Sequence, residues 1–122
     1  MRALVIDDSA TMRRILAAWV TEAGGEAVPA CDGLEALAVL GRDGPFDVAF
    51  VDWDMPRLDG PGFVRRVREE PAHAGLRLVM VTAHVGMDDI ARALALGADD
   101  YLMKPLTAEV LLDRLRSLGL AA

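Results

Sequence analysis

The sequence predicts an α/β fold, a doubly wound parallel sheet of five strands that alternate with five helices, on the strength of two observations. Short apolar runs of strand length alternate with longer segments whose apolar residues recur at helical spacing. The strongest runs are continuously apolar, which is typical of strands buried on both faces of a sheet. Strict alternation of strand and helix implies right-handed crossovers, so we expect helices on both faces of a parallel sheet.

The predicted strands are Ala3–Ile6, Glu26–Ala30, Val48–Val51, Leu78–Val81 and Tyr101–Met103. The first helix has the clearest periodicity, with apolar residues on one face at Met12, Ile15, Leu16, Trp19, Val20 and Ala23. Ser9 is suited to cap the start of this helix, and Gly24-Gly25 to end it. The further helices are expected at Gly33–Leu40, Pro61–Glu69, Met87–Leu96 and Thr107–Leu118.

Length and composition restrict the class of protein. A chain of 122 residues with 53% hydrophobic residues has material for one core, so residues 1–122 are expected to form one domain. The net charge of -6 disfavours binding to nucleic acid or to anionic membrane surfaces. Cys31 is the only cysteine, which rules out an intramolecular disulfide and a multi-cysteine zinc site.

The N-terminal apolar run is too short for a secretory signal or a membrane span, because only four apolar residues precede Asp7-Asp8. We therefore expect a soluble cytoplasmic protein. The position of Met1 directly before the first strand, and of Ala121-Ala122 after the last helix, suits a complete small protein.

Polar side chains follow the predicted strands at their carboxyl ends, where ligands bind in open parallel sheets. The first strand ends in Asp7-Asp8, the third in Asp52 and then Asp54, the fourth in Thr82, and the fifth in Lys104. Two carboxylates about 4 Å apart repel by about 4 kcal/mol at an effective dielectric constant of about 20, so such a cluster needs protons or a cation. Oxygen ligands alone favour a hard ion such as Mg²⁺, and a nearby lysine suits a phosphoryl group. The arrangement indicates phosphoryl transfer.

Four motifs resemble those of receiver domains of two-component response regulators, most closely the single-domain chemotaxis response regulators. The motifs VIDDSATMRRIL, VDWDMPRLDG, VMVTA and YLMKP stand in the family's order and spacing, and the resemblance covers essentially the whole chain. It implies a flavodoxin-like receiver fold with strand order 2-1-3-4-5. It also implies that Asp52 accepts a phosphoryl group from a partner histidine kinase.

The resemblance implies roles for the other residues at the strand ends. Asp7 and Asp8 would hold Mg²⁺, together with the carboxylate of Asp52 and the backbone carbonyl of Asp54. Thr82 would hydrogen-bond a phosphoryl oxygen and Lys104 would pair with the same group.

Three further positions are expected to take part in the conformational switch or to set the lifetime of the phosphorylated state. Tyr101 resembles the aromatic switch residue that turns inward as Thr82 is drawn toward the phosphate, and the Lys104-Pro105 bond is often cis in the family. Two departures concern the lifetime of the phosphorylated state: Asp54 stands where chemotaxis relatives often have asparagine, and His84 lies at a variable site that flanks the route of the hydrolytic water. The additional carboxylate of Asp54 would either strengthen metal binding or alter hydrolysis, and we expect both residues to modulate the phosphorylated state.

The function that this resemblance implies is a phosphorylation-controlled binding module rather than an enzyme acting on other substrates. Its only catalysis would be phosphoryl transfer to Asp52 and hydrolysis from it. Output would require another protein, for which a flagellar motor switch component is the most specific expectation. A receiver of a different relay, or the N-terminal receiver of a longer regulator, is the alternative within the family.

A phosphatase of the haloacid dehalogenase type is the alternative from another class, because Asp52-Trp53-Asp54 matches its Asp-x-Asp motif. That motif normally follows the first strand, whereas here it follows the third and continues into Met55-Pro56. The phosphatase reading also leaves Asp7-Asp8 without a role. Multiple turnover of substrate would distinguish it from a receiver.

Overall fold

The predicted class of fold is confirmed by the computed structural model, which describes residues 1–84 and 86–122. Five strands form one sheet with the order β2-β1-β3-β4-β5, and all four neighbouring pairs are parallel. The strands are β1 (Arg2–Ile6), β2 (Glu26–Ala30), β3 (Val48–Asp52), β4 (Arg77–Thr82) and β5 (Asp100–Met103). The order agrees with the one that the family resemblance implied.

Four helices connect the strands and a fifth follows the last strand: α1 (Ala10–Glu22), α2 (Gly33–Asp43), α3 (Gly60–Arg68), α4 (Met87–Leu96) and α5 (Ala108–Ser117). A single 3₁₀ turn at Pro71–His73 follows α3. Four helices begin at a polar side chain that accepts a hydrogen bond from the first turn, and these caps are Ser9, Asp32, Asp59 and Thr107. The helix α2 ends three residues later than predicted, because Gly41, Arg42 and Asp43 add no apolar position that periodicity could detect.

The sheet separates two apolar clusters, as expected for strands buried on both faces. One cluster packs α1 and α5 against the sheet through Leu16, Val20, Leu111 and Leu115. The other packs α2, α3 and α4 through Val39, Phe63, Val67 and Ala93. Within the described ranges, the chain contains no helix long and apolar enough to cross a bilayer.

The strand register brings the polar strand ends to one edge. Ile6 of β1 lies beside Val51 of β3, so the next residues, Asp7 and Asp52, follow at the same level. Thr82 of β4 lies beside Met103 of β5, one residue before Lys104. The fold therefore gathers the predicted site residues without any long loop.

Candidate functional site

Three carboxylates converge at the carboxyl edge of the sheet. Asp7, Asp8 and Asp52 each offer an oxygen, and these oxygens lie within 4.8 Å of one another. Asp7 is 1% exposed and Asp52 is 9% exposed, whereas Asp8 is open to solvent. A set of carboxylate oxygens with one solvent-facing member fits a hard divalent cation that keeps several of its waters, as Mg²⁺ does. This cluster could therefore hold a metal ion.

The ammonium group of Lys104 lies against the same carboxylates. Its Nζ is 3.0 Å from Asp7 Oδ2 and 3.2 Å from Asp52 Oδ1. The backbone N–H of Lys104 donates to the carbonyl of Thr82 at 2.9 Å, which fixes the end of β5 to the end of β4. The Lys104-Pro105 bond is cis, as the resemblance implied. A point charge thus stands next to Asp52, where a phosphoryl group on that residue would need a counter-charge.

Burial dominates the ionisation of Asp52. Desolvation, reinforced by the negative charge of Asp7, raises the pKa of Asp52 from 3.8 to about 6, although Lys104 and the N–H of Trp53 oppose the shift. The pKa of Lys104 is also raised: burial would lower it, but hydrogen bonding to Asp7 and the charge of Asp52 outweigh that effect. The lysine therefore compensates the acidic cluster only in part, and a further cation is favoured there.

We expect the metal-free protein to lose stability as pH rises through about 6, where folded Asp52 ionises. A carboxyl group whose folded pKa exceeds its unfolded pKa stabilises the fold fully below the unfolded value of 3.8, and this contribution disappears above the folded value. A shift of this size corresponds to about 3 kcal/mol. In urea unfolding with a chelator present, Asp52→Asn should exceed the wild type in stability by up to about that amount at pH 8. The advantage should fade toward pH 4, and an advantage that does not change with pH would contradict this account.

Thr82 and Tyr101 meet at the backbone of His84. Thr82 is 1% exposed, and its Oγ1 accepts a hydrogen bond from the N–H of His84 at 3.0 Å. The hydroxyl of half-buried Tyr101 donates to the carbonyl of His84. The pKa of Tyr101 is raised, mainly by burial and further by the charge of Asp89. The two predicted switch residues therefore hydrogen-bond to the same residue after β4. A switch would need such a physical link between Thr82 and Tyr101.

Asp54 and His84 pair directly, a contact that the sequence did not reveal. His84 Nε2 lies 2.7 Å from Asp54 Oδ2, and its Nδ1 lies 3.6 Å from Asp89 Oδ2. Its ring stacks on Trp53 with centroids 4.9 Å apart. The hydrogen bond to Asp54 is the main cause that raises the pKa of His84. The carboxylate of Asp54 is thus engaged by His84, and a metal contact through the Asp54 carbonyl stays a prediction.

The sheet order, and the carboxylates and lysine at its edge, are those of a receiver module. Comparisons with known proteins support the same class. The response regulator receiver domain family matches residues 3–116. The chain is 36% identical to a chemotaxis protein CheY homolog of Campylobacter jejuni over 116 residues, 94% of this chain and 89% of the relative. It is 40% identical to the probable transcriptional regulator ycf27 of Porphyridium aerugineum over 114 residues, 93% of this chain and 46% of that protein.

A solved structure has the same fold over nearly its whole length. The Vibrio cholerae chemotaxis protein CheY4 aligns with a TM-score of 0.90 at 32% identity, covering 96% of this chain and 97% of that one. The chain therefore belongs to the family of response regulator receiver domains of two-component systems.

Proposed function

We propose that this receiver domain is a phosphorylation-activated switch that accepts a phosphoryl group on Asp52 from a histidine kinase, with Mg²⁺ as cofactor, and then binds a partner protein. One observation carries the proposal. The Asp52 carboxylate ends β3 at the open edge of the sheet, grouped with Asp7 and Asp8 and 3.2 Å from the Lys104 ammonium. Phosphoryl transfer depends mainly on positioning and charge neutralisation, and both are supplied there.

The transfer step uses the ionised carboxylate of Asp52 as nucleophile. Its oxygen would bond to the phosphorus of a phosphohistidine, the P–N bond would break, and the electron pair of that bond would stay with the imidazole of the kinase. When bound by Asp7, Asp8, Asp52 and the Asp54 carbonyl, Mg²⁺ would neutralise charge on the phosphoryl oxygens. Lys104 would pair with the same oxygens from its own side.

The switch follows from what Thr82 would gain. The Thr82 hydroxyl would donate to a phosphoryl oxygen on Asp52. This new bond would draw Thr82 away from its present hydrogen bond with the N–H of His84. Because Tyr101 holds the carbonyl of the same residue, a shift of this segment would change the position of the tyrosine ring. Two arrangements of Thr82 and Tyr101 would then be the two states whose populations phosphorylation changes.

Chemotaxis is the pathway that we propose, with a flagellar motor switch component as partner and a cytoplasmic location. The similarity to chemotaxis proteins of Campylobacter jejuni and Vibrio cholerae, each covered almost entirely, supports this choice. A receiver of another relay, or of a longer regulator, is the second candidate, favoured by the similarity to a transcriptional regulator of which the chain covers 46%.

Asp54 and His84 stay predicted modulators of hydrolysis. Their direct pair, with the His84 ring stacked on Trp53 next to Asp52, supports an effect of both side chains on the attack of water at a phosphoryl group on Asp52. The half-life of the phosphorylated protein in variants of either residue would measure this effect.

Incubation with acetyl phosphate and Mg²⁺ tests the proposal by stoichiometry. We expect incorporation of about one phosphoryl group per chain, stable to acid and released by hydroxylamine, because an acyl phosphate on a single carboxylate has those properties. Release of phosphate should follow the slow decay of the labelled protein. Rapid hydrolysis of many equivalents of added phosphate monoesters would instead support a phosphatase and contradict the switch.

A further inference from the structure

An ion pair fastens the loop after Asp52 to the start of α2. Arg57 Nε lies 2.7 Å from Asp32 Oδ2, and Arg57 Nη2 lies 3.0 Å from Asp32 Oδ1. Two parallel bonds between a guanidinium and a carboxylate form the geometry in which this pair is strongest and most directional. The Asp32 side chain is 5% exposed and also caps α2 by accepting from the N–H of Glu35 at 2.9 Å. The Asp32 carboxylate is thus held in place by the start of α2, independently of Arg57.

Backbone contacts fasten the same loop, which comprises residues 53–59, at two further points. The N–H of Gly33, the first residue of α2, donates to the carbonyl of Leu58 at 3.1 Å. A Cβ at Gly33 would lie 2.5 Å from that oxygen, so this approach of helix and loop requires glycine. The N–H of Gly60 donates to the carbonyl of Trp53 at 2.8 Å and closes the loop. Of these contacts, the Arg57–Asp32 pair alone joins two side chains.

The backbone conformation at Arg57 indicates that this position holds an arginine because of what its side chain contacts. In the described part of the chain it is the only non-glycine residue with a positive φ, at 68°. An L-residue adopts this left-handed conformation at a cost that glycine avoids. The arginine side chain at this position is largely exposed, so packing does not explain it. The ion pair with Asp32 explains why an arginine stands at this strained position.

We propose that Arg57 is a positioning residue of the receiver site: through Asp32 and the start of α2, it holds the loop after β3 in the shape that presents Asp52 and the Asp54 backbone to a divalent cation. Asp54 stands two residues after Asp52 and three before Arg57, so the fastened turn sets the course of the backbone between them. This inference rests on the proposed function, because it concerns the same site.

Charge and position predict opposite effects of removing Arg57, which makes the inference testable. Loss of the positive charge of Arg57, five residues after Asp52, would by electrostatics alone strengthen the binding of Mg²⁺. Loss of a residue that holds the cation-binding loop in place would weaken it. Partners that orient metal ligands typically change metal affinity by about tenfold or more.

The experiment is a titration with Mg²⁺ that follows Trp53 fluorescence in a Trp19→Phe background, so that the tryptophan beside Asp52 alone reports. The variants are Arg57→Gly, which suits the positive φ, Asp32→Asn, which keeps a capping oxygen for α2, and the two together. Arg42→Gln is the charge control, because Arg42 lies in the last turn of α2 and pairs only with the neighbouring Asp43 among the described residues. Far-UV circular dichroism confirms that each variant is folded.

We expect each single variant to raise the Mg²⁺ dissociation constant about tenfold, the double variant to show no further increase, and the control to stay within about twofold of wild type. A lower melting temperature with an unchanged dissociation constant would show that the pair is only structural and would overturn the inference. Tighter binding in Arg57→Gly would overturn it as well, in favour of plain electrostatics. Absence of a saturable Mg²⁺ response in the wild type would overturn the proposed function together with this inference.

Discussion

Asp52→Asn should abolish phosphate incorporation from acetyl phosphate, reducing it from about one group per chain to background. Asparagine keeps the shape of the side chain but has no ionised oxygen that can attack phosphorus. The expected effect is large because the other two carboxylates of the cluster differ from Asp52: Asp8 is open to solvent and Asp7 is bonded differently. Both oxygens of buried Asp7 accept hydrogen bonds, Oδ1 from the N–H of Ser9 and Oδ2 from Lys104, whereas the bonds from Trp53 and Lys104 to Asp52 both fall on its Oδ1. The measurement is acid-stable, hydroxylamine-sensitive label on the purified variant.

A matched control comes from the same loop. Asp59 caps α3 by accepting from the N–H of Gly62 at 2.8 Å, and asparagine preserves such a cap. Asp59→Asn should therefore label like the wild type. Undiminished labelling of Asp52→Asn would remove Asp52 from its proposed role, whatever the control shows.

Lys104→Met should separate metal binding from the response of the switch. The substitution removes an ammonium that lies 3.0 Å from Asp7 and 3.2 Å from Asp52, so the three carboxylates repel one another more strongly and attract a cation more strongly. We expect Mg²⁺ to bind about tenfold more tightly, equivalent to about 1.4 kcal/mol. The response to beryllofluoride, a phosphoryl mimic, should nevertheless weaken, because the counter-charge for the phosphoryl oxygens is missing.

The conservative variant Lys104→Arg keeps the positive charge and should leave Mg²⁺ affinity close to that of the wild type. The affinities of each variant for Mg²⁺ and for beryllofluoride are measured by titration of Trp53 fluorescence. Weaker Mg²⁺ binding by Lys104→Met, or a full beryllofluoride response in that variant, would show that the lysine does not act as described.

The strands and the residues at their ends were predictable because both follow from local rules. Each buried strand is a short run of apolar residues, and parallel strands deliver whatever follows them to one edge. Asp7, Asp52, Thr82 and Lys104 therefore meet where the alternation of strand and helix predicts, although the order of the strands depended on the family resemblance.

The contacts that shape the loops could not be predicted, because they depend on side-chain directions that no periodicity encodes. Arg57 and Asp32 are 25 residues apart and meet only because the loop turns through a positive φ. The pair of His84 with Asp54 likewise joins two loops at a separation of 30 residues. Sequence reasoning identified both Asp54 and His84 as departures from the family pattern without showing that they touch.

The most direct test of the central claim, that Asp52 accepts a phosphoryl group at a divalent-cation site, is a Trp53 fluorescence titration. The Trp19→Phe protein and its Asp52→Asn variant are titrated first with Mg²⁺ and then with beryllofluoride. We expect a saturable beryllofluoride response that requires Mg²⁺ and disappears in Asp52→Asn, because the mimic binds to the carboxylate that would carry the phosphoryl group. A folded protein with intact Asp52 that gives no beryllofluoride response, or an equal response in both proteins, would contradict the claim.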